Sequence, residues 1–344
     1  MKNTQALKKM THITVTVDLH PEILRQISAL PGVTVHYENT GKQIADDILR
    51  TTNILFCELL PDNFDACTSL QYVQISSTGY TQLFNKGLNE KNIMACNARG
   101  VFDTPIAEWC VAMMVNLARD MRGMIRNQDA RIWDRSPRFQ REIRGATAGI
   151  LGYGSIGRET ARLAKAMGMK IHVYGRNLPA DMSQIPIYRI PGTGDPEGIL
   201  PDKAFVTGQE KDFYSDLDFL ILTAPLTKKT EGIIGERELG FLQPHTYILN
   251  PARGPIIQEQ PLIKILREGR IAGAALDTHY YYPMPSDHPL WCFPNVLMTH
   301  HISGSTKSQN FLPRVSEIFS INVHNFLSGK PLINGLSKEQ IDGD

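Results

Sequence analysis

No apolar run in this 344-residue chain approaches the roughly 18 residues that a membrane-spanning helix needs, so no membrane association is expected. An excess of one charge is missing as well. Lys and Arg number 36 against 35 Asp and Glu, a formal +1. So balanced a chain has little electrostatic attraction for nucleic acid or for a lipid surface. Cysteine is sparse and unpatterned. Cys57, Cys67, Cys96, Cys110 and Cys292 are odd in number and show no C-x-x-C spacing. That excludes an obvious disulfide or zinc framework and fits buried thiols in a reducing compartment. The first ten residues lack the apolar segment of a secretory signal, and a cytoplasmic location is expected. Repeats and low-complexity tracts are absent. What is present is 42% hydrophobic residues, ample for a core, in a length that suggests two domains.

Two α/β blocks organise the chain. The first spans about residues 11–104, with strands expected at 13–17, 33–37, 54–57, 72–75 and 93–96 and helical or turn-like stretches such as 22–30 between them. The second has strands expected at 147–151, 170–174, 218–223, 246–250, 273–277 and 296–299. Such alternation predicts parallel sheets covered by helices. A helix over 106–118 joins the blocks, a last helix covers 311–327, and 337–344 reads as a polar tail. Residues 119–144 are charged, with Trp133 in polar surroundings, and read as a dimerisation arm or a solvated excursion. Residues 178–215 are rich in Pro and Gly. A stretch of that length is unusual inside an α/β block, and such loops are often functional or mobile.

Within the second block stands Gly152-Tyr153-Gly154-Ser155-Ile156-Gly157. A strand-like run, 147–151, precedes it. A helical pattern follows, with Ile156, Thr160, Leu163, Ala164 and Met167 on one face and Arg158, Glu159, Arg162 and Lys165 on the other. Between strand and helix, G-x-G-x-x-G reads as a dinucleotide site. The first Gly permits a tight turn, the second lets a pyrophosphate approach the backbone, and the third lets helix and strand pack closely. Free N–H groups and the positive dipole end of the helix face the phosphates. An NAD site usually carries Asp or Glu after the next strand to hold the ribose hydroxyls. Here that place reads Tyr174-Gly175-Arg176-Asn177. No carboxylate repels a 2′-phosphate, and Arg176 can pair with one, so NADP(H) is expected over NAD(H). The alternative is that Arg176 stacks on adenine or points to solvent.

Three strand ends carry further chemistry. Asn250-Pro251-Ala252-Arg253-Gly254 follows one strand, and ligands of open α/β sheets lie beyond such carboxyl ends. Arg253 could clamp a substrate carboxylate while polarising a neighbouring carbonyl. Asp277 ends a second strand. His300 and His301 follow the last, and an imidazole suits proton transfer to a developing alkoxide because its ordinary pKa lies near neutrality.

These segments together resemble the D-isomer-specific 2-hydroxyacid dehydrogenases. The resemblance extends from Gln74-Ile75-Ser76-Ser77-Thr78-Gly79 through Ile106-Ala107-Glu108, the glycine motif, Ala224-Pro225-Leu226-Thr227-Lys228-Lys229-Thr230 and Asn250 to Gly254, and on to Ala274-Ala275-Leu276-Asp277 and His301-Ile302-Ser303-Gly304. It implies an NAD(P)-binding Rossmann domain, residues 106–302, inserted into a discontinuous flavodoxin-like substrate domain, residues 1–105 and 303–344. It implies an active site between them and a homodimer. Arg253 resembles the substrate-binding catalytic Arg, and His301 the acid/base. The Ser77-Thr78-Gly79 loop resembles the one whose backbone receives the substrate carboxylate. Asp277 resembles the residue holding the nicotinamide carboxamide. Gly152, Gly154, Ser155, Ile156, Gly157, Arg176, Asn177, Thr223, Ala224, Pro225, Thr230, Pro251, Ala252, His301 and Gly304 would contact the cofactor. No metal is implied.

The chain departs from the family at Tyr282. Most hydroxyacid members carry there a Glu that pairs with the His and raises its pKa. A Tyr hydroxyl can orient an imidazole but supplies no charge, so His301 is expected to be less basic than in the usual dyad. Asp287 or His288 could supply a replacement partner. His300 stands where the family usually has Pro. The stretch from Tyr282 to Pro289 is similar to formate dehydrogenases, which release no alcohol proton and need no general acid. Four functions stay open: an NADPH-preferring reductase of 2-oxo acids giving D-2-hydroxy acids, oxidation of a small anion such as formate, oxidoreduction of a different or larger substrate, and nucleotide sensing without turnover.

Overall fold

The structure, a computed structural model, describes residues 10–38, 43–136, 140–177 and 179–343. It contains two parallel-sheet α/β units. One comprises the chain up to Val101, Pro186–Tyr188 and the chain from Thr306. The other comprises Phe102–Ile185 and Arg189–Ser305, and so is inserted into the first.

The first unit holds strands β1 (Thr11–Val15), β2 (Val33–Tyr37), β3 (Ile54–Cys57), β4 (Tyr72–Ile75) and β5 (Met94–Cys96), with helices α1 (Pro21–Ser28) and α2 (Asp46–Thr51) between them. The order β2-β1-β3-β4-β5 is that of a flavodoxin-like doubly wound sheet. Both faces of β3 and β4 are buried, as their unbroken apolar runs require. The first strand lies two residues earlier than its apolar pattern predicts. Thr11 pairs with Val33, and Thr16 lies past the strand end with its N–H on Phe56 O.

The second unit begins with α3 (Asp103–Ala118) and α4 (Met121–Asp129). It continues with β6 (Thr147–Leu151), α5 (Ser155–Ala166), β7 (Lys170–Tyr174), β8 (Lys203–Phe205), α6 (Glu210–Tyr214), β9 (Phe219–Leu222) and α7 (Glu236–Leu239). Then come β10 (Tyr247–Asn250), α8 (Glu259–Arg267), β11 (Gly273–Leu276) and β12 (Val296–Met298). Its seven strands run β12-β11-β10-β9-β6-β7-β8, all parallel. This is the Rossmann order, and the reversal of direction falls between β6 and β9, where a crevice opens for a ligand. Neighbouring residues serve opposite faces. Leu151, Leu220, Ile248 and Ala274 enter one core, while Ile150, Ile221, Leu249 and Ala275 enter the other. The chain returns to the first unit with α9 (Phe311–Leu327) and α10 (Lys338–Ile341). Among the described residues no helix is long and apolar enough to cross a membrane.

Local composition hid several elements. The Lys203–Phe205 edge strand is three residues long and follows a Pro- and Gly-rich stretch. Met121–Asp129 is polar, with no buried residue, and its start is capped by Asp120 accepting from Gly123 N at 3.2 Å.

The stretch before β8 is ordered in its described part. It docks on α5 through two charged residues that helical spacing assigns to the outer face. Arg158 donates to Ala180 O at 2.8 Å and to Asp195 O, and Glu159 accepts from Gly194 N at 2.6 Å while also holding Arg162. Tyr153 of the glycine motif donates to Asp195 at 2.6 Å. Arg158 and Glu159 are therefore buried, 6% and 0% exposed, against the expectation of a solvated helix face. Helical spacing identifies the face turned from the sheet but not what an insertion lays over it.

Candidate active site

The glycine motif sits at the turn from β6 into α5, and each glycine has its own steric reason. Gly152 adopts φ 95°, and a Cβ there would meet Ala224 N at 2.6 Å. A Cβ on Gly157 would meet Gly152 O at 2.6 Å and Thr223 Oγ1 at 2.9 Å, so helix and strand ends approach only because no side chain intervenes. Gly154 is exposed, and a Cβ there would meet nothing within 4 Å. The open cradle therefore lies above Gly154, at the N-terminus of α5, where the N–H groups of Ser155 and Ile156 have no intrahelical acceptor. This shape and polarity fit a pyrophosphate. Ser155 Oγ donates to Asp103 at 3.1 Å, and Thr223 Oγ1 donates to Gly152 O at 2.5 Å, fixing both walls. Thr230 ties its own loop by donating to Pro225 O at 2.6 Å.

Arg176 and Asn177 follow β7 and are exposed. Arg176 makes no hydrogen bond or ion pair with any described residue. Tyr174 is turned away, donating to Glu210 at 2.8 Å.

Arg253 sits in the turn after β10. Asn250 builds that turn, accepting from Ala252 N at 3.1 Å and donating to Arg253 O at 2.9 Å. Gly254 lets it press on the next loop, because a Cβ there would lie 2.5 Å from the His279 carbonyl. The guanidinium donates to Ala252 O at 2.6 Å, and among the described residues no carboxylate pairs with it. Desolvation pulls its pKa below the ordinary value, and Tyr282 opposes that pull.

His301 stands beyond β12 at φ 57°, a left-handed conformation unusual for a residue with a Cβ. Asp277 holds it there. The Asp277 carbonyl accepts from His301 N at 2.7 Å. The carboxylate accepts from Thr299 Oγ1 at 2.5 Å, Ile302 N at 2.9 Å, Ser303 N at 3.0 Å and Ser303 Oγ at 2.5 Å. Asp277 is 0% exposed, and these bonds occupy the roughly four acceptor positions of a carboxylate. In this structure the carboxylate shapes the His301 turn. Gly304 closes the same turn against Phe102, whose ring would lie 2.9 Å from a Cβ.

Tyr282 reaches His301. Its hydroxyl lies 3.2 Å from His301 Nδ1 and accepts from His279 N at 3.2 Å. The other candidate partners are elsewhere. His288 is held by Glu259 at 2.7 Å and by Leu290 N at 3.3 Å, and Asp287 is exposed with no hydrogen bond to a described residue. His300 faces Trp291, ring centres 5.7 Å apart. His301 is open to solvent on one side. Crowding on the other, then the Arg253 charge, hold its pKa below the ordinary imidazole value, against the pull of Asp277. Sequence reasoning missed His279, 5% exposed, whose backbone braces Tyr282 and whose Nε2 lies 2.6 Å from Thr299 O. Its place two residues beyond Asp277, on the same side of an extended chain, was the available signal.

In the first unit the loop after β4 is knitted to the one after β5. Ser77 Oγ donates to Gly79 O at 2.7 Å, Thr78 Oγ1 to Ala98 O at 3.2 Å, and Asn97 Nδ2 to Thr78 O at 2.7 Å. The N–H groups of Ser77, Thr78 and Gly79 find no acceptor among the described residues, which leaves a row of donors for an anion.

Residues 111–191 and 194–303 match the sequence model of the D-isomer specific 2-hydroxyacid dehydrogenase NAD binding domain. The chain is 29% identical over 313 residues to a glyoxylate reductase of Thermofilum pendens, covering 87% of this chain and 86% of that one. It is 27% identical to a hydroxypyruvate reductase of Blautia hydrogenotrophica, with 88% and 91% covered. A solved structure of a D-isomer specific 2-hydroxyacid dehydrogenase family protein from Aeromonas salmonicida shares the fold, with a TM-score of 0.78, 24% identity, and 96% and 99% of the two chains covered.

Proposed function

We propose that this chain, which belongs to the D-isomer specific 2-hydroxyacid dehydrogenase family and is an NAD(P)-dependent oxidoreductase, reduces small 2-oxo acids to D-2-hydroxy acids with NADPH. The second unit binds the nucleotide. The observation that carries the reading is the arrangement of Arg253, a desolvated cation without a carboxylate partner among the described residues, with a His301–Tyr282 pair in electrostatic reach of it. A desolvated cation is stable when a ligand anion meets it, and a planar guanidinium fits a carboxylate bidentately. Bound nicotinamide supplies hydride to the carbonyl carbon. Arg253 neutralises the substrate carboxylate and polarises the carbonyl, and His301 gives the oxygen its proton. Formate oxidation needs no such proton, so the retained His301–Tyr282 contact favours the 2-oxo acid reading.

Arg176 supports NADPH, as an exposed cation at the end of β7 with no internal partner among the described residues. A homodimer is proposed on the second unit, where Met124, Ile125, Ile132 and Trp133 are exposed together along the chain, Trp133 to 90%. The cytoplasm is the proposed compartment, in keeping with five unpaired thiols. The test is Arg253→Ala assayed with glyoxylate, hydroxypyruvate, pyruvate and phenylpyruvate. Turnover should fall by at least about 10²-fold while NADPH still binds. Undiminished turnover would remove Arg253 from the chemistry, and with it this reading.

A further inference from the structure

We infer that Tyr282 is the proton source for His301: its hydroxyl donates to Nδ1, holds the neutral imidazole in its Nε2–H form, and refills the ring as Nε2 gives its proton to the product oxygen. The inference rests on the reductase reading above, and it follows from which atoms can donate.

A backbone N–H only donates, so at the 3.2 Å contact with His279 N the Tyr282 oxygen is an acceptor. The phenol proton is then left for its other neighbour, His301 Nδ1, also at 3.2 Å. The opposite arrangement, Nδ1–H donating to the phenol, would turn the phenol proton out to solvent, with no acceptor for it among the described residues. A doubly protonated ring is disfavoured by the groups around it. From the turn after β10 comes the Arg253 cation, and from the loop after β11 come His279 and Tyr282, none of them a carboxylate. Among the described residues Asp277, just beyond β11, is the one anion in reach, and its oxygens are spent on Thr299, Ile302 and Ser303. A neutral Nε2–H imidazole cannot give up its proton alone, because that would leave an imidazolate.

The Tyr282 proton removes the obstacle. As the Nε2–H bond breaks and an O–H bond forms on the product alkoxide, the Tyr282 O–H bond breaks and an Nδ1–H bond forms. The ring stays neutral. The negative charge moves from the alkoxide to the Tyr282 oxygen, which faces the His279 N–H and lies in electrostatic reach of Arg253. Tyr282 is 59% exposed, so water restores its proton. One solvent proton is consumed per turnover, as reduction of a carbonyl to an alcohol requires. A carboxylate at this position would instead hold a charged imidazolium that acts as the acid by itself, and no second proton would move.

Two readouts test this. The first uses nitrogen-15 histidine NMR on the cofactor-free protein at neutral pH, which reports the tautomer of His301 without turnover. The Nε2–H form should dominate in the wild type, and Tyr282→Phe should lose that preference. A dominant Nδ1–H form or an imidazolium would overturn the inference. The second is a proton inventory of 2-oxo acid reduction in mixed light and heavy water. Wild type should give a curved plot, from two protons in flight. Tyr282→Phe should give a straight one, with kcat lower by about 10²-fold and KM little changed. A Tyr282 that merely orients the ring would lower kcat on substitution but leave the wild-type plot straight, which also contradicts the relay. Absence of turnover with every 2-oxo acid would sink the reductase reading, whereas the tautomer measurement judges the Tyr282–His301 pairing independently of it.

Discussion

Arg176 ends β7 exposed and without an internal partner among the described residues, so its removal costs the protein nothing that the structure shows. A charge-assisted pairing with a 2′-phosphate is worth about 1.5–3 kcal/mol. Arg176→Ala should therefore weaken NADPH by about 10- to 100-fold and leave NADH nearly unchanged, read by titration of cofactor fluorescence. Equal loss for both cofactors would remove Arg176 from the phosphate. Tyr282 is the other decisive residue. With Tyr282 as its proton source, neutral His301 is the working form in 2-oxo acid reduction, which then needs no imidazolium. Because burial and Arg253 lower the His301 pKa, wild-type reduction should persist as pH rises through the usual imidazole inflection near about 6.5. Tyr282→Glu supplies the missing charge and should move the inflection of kcat/KM upward by about one unit or more. An unchanged profile would mean that residue 282 does not govern the ring. Arg253, Asp277 and His301 were legible in the sequence because each stands at the end of an apolar run, and strand ends converge in a parallel sheet. The partner of His301 was legible only as a choice among three residues. Tyr282, Asp287 and His288 are all close in sequence, and only the fold shows that Glu259 takes His288 and leaves Tyr282 on the ring.

At the scale of elements, the turn from β6 into α5 separates stability from binding. Gly157→Ala pushes a Cβ to 2.6 Å from Gly152 O and should destabilise the fold by about 1–3 kcal/mol, seen as a lower Tm without cofactor. Gly154→Ala enters open space and should leave that Tm unchanged while weakening NADP(H). The opposite ranking would contradict the roles given to the two glycines. The motif could be read from sequence because local sterics define it. The docking of Ala180, Gly194 and Asp195 on α5 could not. Arg158 and Glu159 look like a solvated helix face until Asp195, Gly194 and Ala180 cover them, and those partners lie 22 to 37 positions away. The strand at Lys203–Phe205 escaped notice for a related reason, since three residues carry no periodicity and their pairing with β7 is what makes them a strand.

For the whole molecule, the two sheets were legible as blocks of apolar strands, because strands buried on both faces need continuous apolar runs. The surface was harder to read. The polar helix Met121–Asp129 buries no residue, and Trp133 is 90% exposed beside Ile132. Monomeric proteins rarely leave such a group in water. Ile125→Glu combined with Trp133→Glu should convert a dimer to monomer in light scattering, and an unchanged mass would exclude this surface as the interface. The thiols give a second check of the global fold. Cys57, Cys67, Cys96 and Cys110 are buried, Cys292 is exposed, and burial pushes Cys67 up to about 11 and Cys96 and Cys110 up to about 12. A thiol reagent should therefore titrate one group per native chain and five after denaturation.

The most direct measurement is steady-state oxidation of NADPH, followed by nicotinamide absorbance, with glyoxylate and hydroxypyruvate as substrates and NADH run alongside. Consumption that requires the 2-oxo acid, runs faster with NADPH and disappears in Arg253→Ala is the predicted result. Intact cofactor binding with no consumption by any 2-oxo acid would contradict the assignment of Arg253, His301 and Tyr282 to this reduction.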